Sequence, residues 1–303
     1  MRNIAKSIAK RIPRIRRLFE DRKELFEYRK FARPGHFYSP IPSIEEIKKN
    51  EDRVFGDIPR KISGVELNEN DQLSLFKKFK NYYDELPFSK TNTGNLRYFF
   101  ENKFYSYSDA IFLYCMIRHA QPNTIMEVGS GYSSCVALDT NELFFDNSIE
   151  IIFIEPYPER LISLTKETDK EKITIISKKV QDIELSEFES LQPNDILFID
   201  STHVGKIDSD VNYIFFEILP RLSSGVFIHF HDVFYPFEYP KEWIYEGRAW
   251  NESYILHSFL MFNNTFKIVF FNTYLEYFHE ELFRREMPLC MKNKGGSIWI
   301  QKC

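Results

Sequence analysis

The sequence predicts an α/β fold built on a mostly parallel sheet with helices on both faces. Three observations lead there. From Thr124 onward, short apolar runs alternate with helical stretches, the pattern of repeated strand–helix–strand units. The early runs are solidly apolar, as strands buried on both faces must be. A pair of glycines follows the first run directly, where a strand would turn into a helix.

The elements follow in order. Pro34, Gly35, Pro40, Pro42 and Pro59 predict extended loop over 34–60, with one short helix over 43–50. Leu73, Phe76, Phe79 and Tyr83 recur at helical spacing and predict a helix over 68–86. Residues 87–104 read as a loop of aromatics and polar turn residues. A helix over 108–119 follows, with Ser108 as its N-cap. The strand candidates are 125–128, 151–154, 173–177, 196–199, 226–230, 266–271 and 297–301. Helices are expected at 133–143, 159–168, 185–189 and 208–219. The excursion 272–294 receives no assignment, and no internal repeat is present.

The chain has 303 residues, room for one large domain or two small ones, and 40 Lys+Arg against 44 Asp+Glu give a net charge of -4. A composition of 43% hydrophobic and 28% charged residues excludes collagen-like, disordered and linker classes. Cys115, Cys135, Cys290 and Cys303 lack metal-type spacing, which argues against a disulfide scaffold or zinc cluster and fits a reducing compartment. No apolar run is long enough to span a membrane, and Lys6, Lys10 and Arg11 interrupt any signal-peptide core, so a cytoplasmic protein is expected.

The charge is unevenly placed. Residues 1–33 hold 12 Lys/Arg and 4 Asp/Glu, a net of +8, while the other 270 hold 28 and 40, a net of -12. Ile4, Ile8, Ile12, Ile15 and Leu18 recur among the bases, a basic amphipathic arm interrupted at Pro13. Three readings of the arm stand side by side. It is a peripheral contact with the inner membrane face, a solvated helix or contact in a homo-oligomer, or an organellar transit peptide. The acidic body makes nucleic acid a poor partner. The chain therefore divides into this arm (1–33), a helical and loop cap (34–100) and the domain with the sheet (101–303).

The most informative stretch is 125–134, Ile-Met-Glu-Val-Gly-Ser-Gly-Tyr-Ser-Ser. Gly129 and Gly131 let the backbone pass close to a ligand, and a helix opening at Ser133 offers free N–H groups. Such turns serve nicotinamide, flavin and adenosylmethionine sites alike. Three details separate these. Ser134 stands where a third glycine would complete the dinucleotide pattern. Glu127 ends the strand, where a carboxylate suits a cationic ligand better than a pyrophosphate. Glu155 closes the second strand before Pro156, placed to accept both ribose hydroxyls of an adenosine.

On these residues the chain resembles, over about 98–303, the class I S-adenosylmethionine-dependent methyltransferases, in particular a bacterial group found with surface-polysaccharide genes. The resemblance implies a Rossmann-like, seven-stranded sheet with an antiparallel final strand, preceded by an N-terminal helical extension. It implies that Glu127, Gly129, Ser130, Gly131, Tyr132 and Ser133 hold the methionine half of the cofactor. Glu155 and Pro156 would border its ribose, Gln181 and Asp182 would cap its adenine, and Asp200 and Ser201 would complete the site. Asp182 has a second reading, as the cap of the next helix.

The fourth strand runs into Asp200-Ser-Thr-His203, and the fifth into His229-Phe-His231-Asp232. Both ends fall at the carboxyl edge of the sheet, where open parallel sheets bind ligands. Strand alternation points His229 and His231 to one side, and His229, deeper in the strand, also reads as a structural histidine. Two chemistries fit. In one, His203 takes a proton from an acceptor hydroxyl, with Asp200 and His231 beside it. In the other, Asp200, His231 and Asp232 bind Mg2+ or another divalent cation that lowers the hydroxyl's pKa. The two can coexist, and a simpler reading has the histidines only hydrogen-bond the acceptor or the cofactor's carboxylate. The spacing of Asp200 and His203 is similar to the D-x-x-H motif of metal-dependent sugar O-methyltransferases of macrolide pathways. In those an acidic pair follows the fifth strand, where this chain has His231-Asp232.

Residues 234–252 crowd aromatics around Glu238, Glu246, Arg248, Asn251 and Glu252. Aromatic faces with polar groups between them suit a sugar, which makes Tyr235, Glu238, Tyr239, Trp243, Arg248 and Trp250 candidate acceptor contacts. A packed loop is the alternative, and Arg248 has Glu246 and Glu252 as competing partners. The expected function is an S-adenosylmethionine-dependent O-methyltransferase that methylates a sugar hydroxyl in glycan or polysaccharide biosynthesis. A nicotinamide-dependent sugar oxidoreductase or epimerase, and an inactive methyltransferase-fold scaffold, are the competing readings.

Overall fold

A computed structural model describes Pro13, Arg17 and residues 31–303. The rest of the amphipathic arm expected over 1–33 lies outside the described residues. Two compact units emerge. The first joins the described residues up to Ile58 to Lys241–Ala249, and the second joins Pro59–Pro240 to Trp250–Cys303.

In the first unit, α1 (Ile44–Lys49) begins at Ser43, whose Oγ accepts from Glu46 N at 3.3 Å, and Asn50 passes the chain to α2 (Glu51–Val54). Glu51 accepts from the Tyr245 hydroxyl and, at 2.8 Å, from Lys241 Nζ, which ties α2 to the helix Lys241–Tyr245.

The second unit carries the sheet, in the order β3-β2-β1-β4-β5-β7-β6. Its strands are β1 (Thr124–Val128), β2 (Glu150–Ile154), β3 (Ile173–Ile176), β4 (Ile196–Ile199), β5 (Phe227–His231), β6 (Phe266–Phe271) and β7 (Ser297–Lys302). Strands β1 to β5 pair in parallel, and β7 runs antiparallel to both β5 and β6, as expected of the final strand. Every residue of β4 and β5 is buried, which requires cover on both faces. The order reverses between β1 and β4, so a crevice opens at their carboxyl ends.

Helices supply the cover. The face of α3 (Glu69–Tyr83) that holds Leu75, Phe76 and Phe79 packs on α4 (Tyr107–Ala120) and β6. On that face Gln72 donates to Leu67 O and accepts from Phe271 N at 2.7 Å, which satisfies one backbone group ahead of α3 and one at the end of β6. Apart from Arg118 and His119, all of α4 is buried. Then come α5 (Tyr132–Phe144), α6 (Glu159–Leu164), α7 (Leu185–Glu189) and α8 (Asp210–Tyr213), which continues through a π-helical Ile214–Ile218 into α9 (Leu219–Arg221). Buried Arg97 holds the 87–104 segment to α5 through Asp139 (2.6 Å) and Glu142 (2.8 Å), and also pairs with Asp169.

Each strand lies within one residue of its expected bounds. Several helical expectations need correction: α6 stops at Leu164, short of the expected 168, because Thr165 and Lys166 turn extended, and α2 is a second short helix where one was expected. Ser106, not Ser108, takes the N-cap position of α4, and Ser108 sits inside the helix and donates to Glu276 Oε1 at 3.1 Å. The helix starts earlier because Tyr107 is held from its first turn, stacked on Phe100 at 4.9 Å. The aromatic stretch read as loop ends in α10 (Glu252–Leu260), and the unassigned 272–294 folds into α11 (Asn272–Phe278), α12 (Glu280–Glu286) and the short turn Pro288–Lys292.

Candidate functional site

A cleft of about 410 Å3 opens in the crevice at the ends of β1, β2 and β4. Gly129, Glu155, Pro156, Gln181, Asp200 and Ser201 line it. Gly129 has a φ of +86°, and a side-chain carbon built there would lie 1.9 Å from Asp200 O. Only glycine lets the exit of β1 pass this close to the exit of β4. The turn then closes on itself, with Gly131 N donating to Ser134 Oγ at 3.0 Å.

The rim is fixed from both sides. Glu155 Oε2 accepts from Ser130 Oγ at 3.2 Å, and its Oε1 accepts from Tyr157 N at 2.9 Å. Gln181 donates to Asp208 O at 2.8 Å. Asp182 is exposed in the short turn Val180–Asp182 and is not among the residues that line the cleft. Glu184, not Asp182, takes the N-cap position of α7. The Oγ of Ser201 is buried and finds no hydrogen-bond partner among the described residues. Tyr132 packs against Phe99 and Phe104.

Glu127 is buried behind the turn and accepts from Ser133 Oγ at 2.5 Å. Burial pushes its carboxyl up to about 8, against the pull of the Ser133 and Ser134 hydroxyls. The nearby charges that act on it, Asp200 and Glu155, are acids and push the same way.

A second cluster forms where β4 and β5 end. Asp200, His203 and Asp232 each offer a donor atom, and these lie within 4.8 Å of one another. Nε2 of His203 is 3.4 Å from Asp200 Oδ1 and 3.6 Å from Asp232 Oδ2, while its Nδ1 meets Glu252 Oε2 at 2.8 Å. Both His203 and Glu252 are buried. The start of α10 also holds the backbone, since Asn251 N and Glu252 N donate to His203 O at 3.1 and 3.2 Å. His203 and Asp232 take left-handed φ values of 61° and 56°, which swing their side chains off the strand directions and into the cluster.

Burial opposes a charge on His203, but Asp200 and Glu252 outweigh it and raise the imidazole to about 10. Burial also opposes ionisation of Asp200, and His231 and His203 outweigh it and hold that carboxyl below the ordinary aspartate range. His229 is buried against Phe198 (4.1 Å, stacked) and Trp299 (4.6 Å), and burial together with His231 keeps it neutral.

The donor set differs from the expected one in its imidazole: His203 joins the two aspartates where His231 was expected. His231 is on the same edge, with Nε2 3.5 Å from Asp232 Oδ1. The pleat of β5 sets its ring parallel to that of His229 at 6.0 Å and turns it toward Tyr105 at 5.1 Å, leaving Nδ1 buried without a partner among the described residues.

The acceptor candidates separate. Trp250 lies at the cluster, its ring centroid 4.4 Å from that of His203. Tyr235 and Tyr239 are buried: Tyr235 packs on Phe271 and Tyr274 and donates to Pro59 O, and the Tyr239 hydroxyl accepts from Ser253 N at 3.0 Å. Glu238 accepts from the Tyr254 hydroxyl at 2.5 Å. Trp243 and Arg248 belong to the first unit, where the Arg248 guanidinium lies 4.2 Å over the Trp243 ring and pairs with Glu246 at 2.9 Å.

Glu252 is the residue sequence reading missed as part of the site. It sits 49 positions from His203 and shows only as one acid in an aromatic stretch, so no local spacing marks it.

Known proteins bear on the same region. Residues 126–233 match the family model described as "Methyltransferase domain". An uncharacterized protein of Archaeoglobus fulgidus is 37% identical over 175 residues, which span 55% of this chain and 77% of that protein. Among solved structures, the SAH-bound Podospora anserina methyltransferase PaMTH1 is 15% identical, with 88% of this chain and 99% of that one covered at a TM-score of 0.42. The O-methyltransferase TomG of Streptomyces achromogenes, in complex with SAM, is 14% identical, with 78% and 91% covered at a TM-score of 0.40.

Proposed function

Residues 126–233 belong to a methyltransferase domain, and from that premise we propose that the chain is a class I S-adenosylmethionine-dependent O-methyltransferase acting on a sugar hydroxyl in glycan or polysaccharide biosynthesis. One observation carries the reading. Asp200 lines the cleft and also joins His203 and Asp232, so a cofactor in the cleft and a hydroxyl at the cluster would meet across a single side chain.

The cleft residues fit a cationic adenosyl ligand. Glu127 is a buried carboxyl with hydroxyls but no base among its strongest influences, and Ser201 Oγ is an orphaned donor on the wall. Bound there, S-adenosylmethionine supplies the activated methyl group. Glu127 and the turn from Gly129 to Gly131 would hold its methionine half, Glu155 its ribose and Gln181 its adenine side.

The work of the chain's own residues is alignment and proton handling. Glu252 accepts from Nδ1–H of His203 and so turns Nε2 toward Asp200 and Asp232. In the free protein Nε2 carries a proton and faces the two aspartates. Positive charge entering beside Asp200 and Asp232 lowers its proton affinity, so Nε2 would release that proton to solvent. Its freed lone pair would then take the proton of the acceptor hydroxyl as the hydroxyl oxygen accepts the methyl group. Two carboxylates and an imidazole also fit Mg2+ or Mn2+, which Asp200, His203 and Asp232 would hold and which would lower the hydroxyl's pKa. Trp250 supports a sugar acceptor, since it sets an aromatic face beside acids that accept hydroxyl hydrogen bonds. The nicotinamide reading is disfavoured by Ser134, which closes the turn in place of a third glycine.

The test is a paired measurement on the full chain. Calorimetry should show micromolar binding of S-adenosylhomocysteine, retained in His203→Ala. Transfer of labelled methyl to a panel of nucleotide-linked and lipid-linked sugars should fall by about 10²–10⁴ in the same variant. Binding of NAD instead of S-adenosylhomocysteine, or full activity in His203→Ala, overturns the reading.

A further inference from the structure

We propose that residues 31–41 form an aromatic anchor that seats the first unit on an anionic lipid surface. Phe31, Phe37 and Tyr38 are 84%, 82% and 64% exposed, and Ile41 is 42% exposed. These side chains are not scattered. Phe37 and Tyr38 lie 4.3 Å apart, Phe31 and Tyr38 5.5 Å apart, and His36 stacks on Phe37 at 4.3 Å. The backbone beneath them is closed by Gly35 N to Ile41 O (2.9 Å), His36 N to Arg33 O (3.0 Å) and Ser39 N to His36 O (2.7 Å). A hydrogen-bonded turn therefore presents one knob of aromatic rings to solvent. Contiguous exposed apolar patches of this kind mark interaction sites.

Charge selects the occupant. The knob begins within the last three residues of the stretch 1–33, which holds 12 Lys/Arg and 4 Asp/Glu. By sequence, the first unit holds 17 Lys/Arg against 11 Asp/Glu, a net of +6, and the second holds 23 against 33, a net of -10. The positive charge is thus gathered in the unit that exposes the rings. Aromatic rings beside a basic run are the composition of interfacial anchors, in which rings sit at headgroup depth and bases pair with anionic lipids. A tip of rings offers few hydrogen-bonding groups to an acidic protein face. No helix among the described residues is long and apolar enough to cross a membrane, so the contact is peripheral. The anchor shares no residue with the methyl-transfer site.

Co-sedimentation of the full chain with vesicles tests it. Vesicles of phosphatidylcholine with added phosphatidylglycerol should pellet the protein, phosphatidylcholine alone should not, and added salt should release it. The double variant Phe37→Ser/Tyr38→Ser should bind the anionic vesicles roughly tenfold more weakly, with melting temperature and S-adenosylhomocysteine binding unchanged. Absence of binding to the anionic vesicles, or equal binding by the double variant, overturns the proposal. So does a dimer in light scattering that the double variant loses while vesicle binding stays intact, since that makes the knob a contact between copies.

Discussion

At one edge of one sheet, Glu127 and Asp200 close neighbouring strands and are titrated in opposite directions. Burial works against both carboxylates. Beside Glu127 stand serine hydroxyls and other acids, and its carboxyl is pushed up to about 8. Beside Asp200 stand His231 and His203, and its carboxyl is held below the usual range. The difference lies in the counter-charge and also in the depth, since Glu127 is 2% exposed and the Asp200 side chain 35%. The β4–β5 side carries its own cation in protonated His203, which Glu252 and Asp200 sustain. The β1 side has no such cation among its strongest influences, so a positively charged ligand is what would complete it.

The comparison is broken most severely at Gly129, where the two sides touch. In Gly129→Ala the strained φ and the collision with Asp200 O should cost on the order of 2–4 kcal/mol. Calorimetric affinity for S-adenosylhomocysteine should drop by roughly 30-fold or more, and an unchanged affinity would place the cofactor elsewhere. Glu252→Gln sharpens the β4–β5 side. It keeps the shape of the side chain but removes the charge behind Nδ1, and methyl transfer should fall about 10- to 100-fold with a displaced pH profile. If only melting temperature moved, Glu252 would be a structural residue and not the one that positions His203.

The mildest effect is on the β1 side and is read through pH. A bound cation favours ionised Glu127, so affinity for S-adenosylmethionine should rise as pH climbs toward about 8 and level off above it. The rise should be at most about tenfold per pH unit, and Glu127→Gln should flatten it. Calorimetry in buffers of different ionisation heat should show protons released on binding. The same raised pKa has a consequence for stability. The contribution of the neutral carboxyl is full below its unfolded value and is lost as pH rises through about 8, so the ligand-free protein should melt at lower temperature on the alkaline side.

How much of this was legible depended on the distance over which each feature is encoded. The strands could be read because apolar runs and their spacing are local properties. The turn at Gly129 could be read because two glycines after a strand narrow the backbone choices within three residues. The aromatic stretch misled for a related reason. Its composition suited a sugar surface, yet Tyr235 and Tyr239 are packed into the interior, and composition does not record which face of a ring is covered. The helix Lys241–Tyr245 was hidden in the same stretch, and the helix Glu252–Leu260 starts at its last residue.

The sequence by itself determined the alternation of strands and helices, the glycine turn with its two flanking acids, and the presence of histidines and aspartates at the ends of β4 and β5. All of these follow from residue order over short spans. The tertiary structure alone decided which imidazole meets the aspartates and what holds it there. Left-handed backbone at His203 and Asp232 turns their side chains inward, the pleat of β5 turns His231 toward Tyr105, and α10 brings Glu252 from 49 residues away. Side-chain direction at a strand end and long-range packing depend on the whole chain being folded, which is why no motif could announce them.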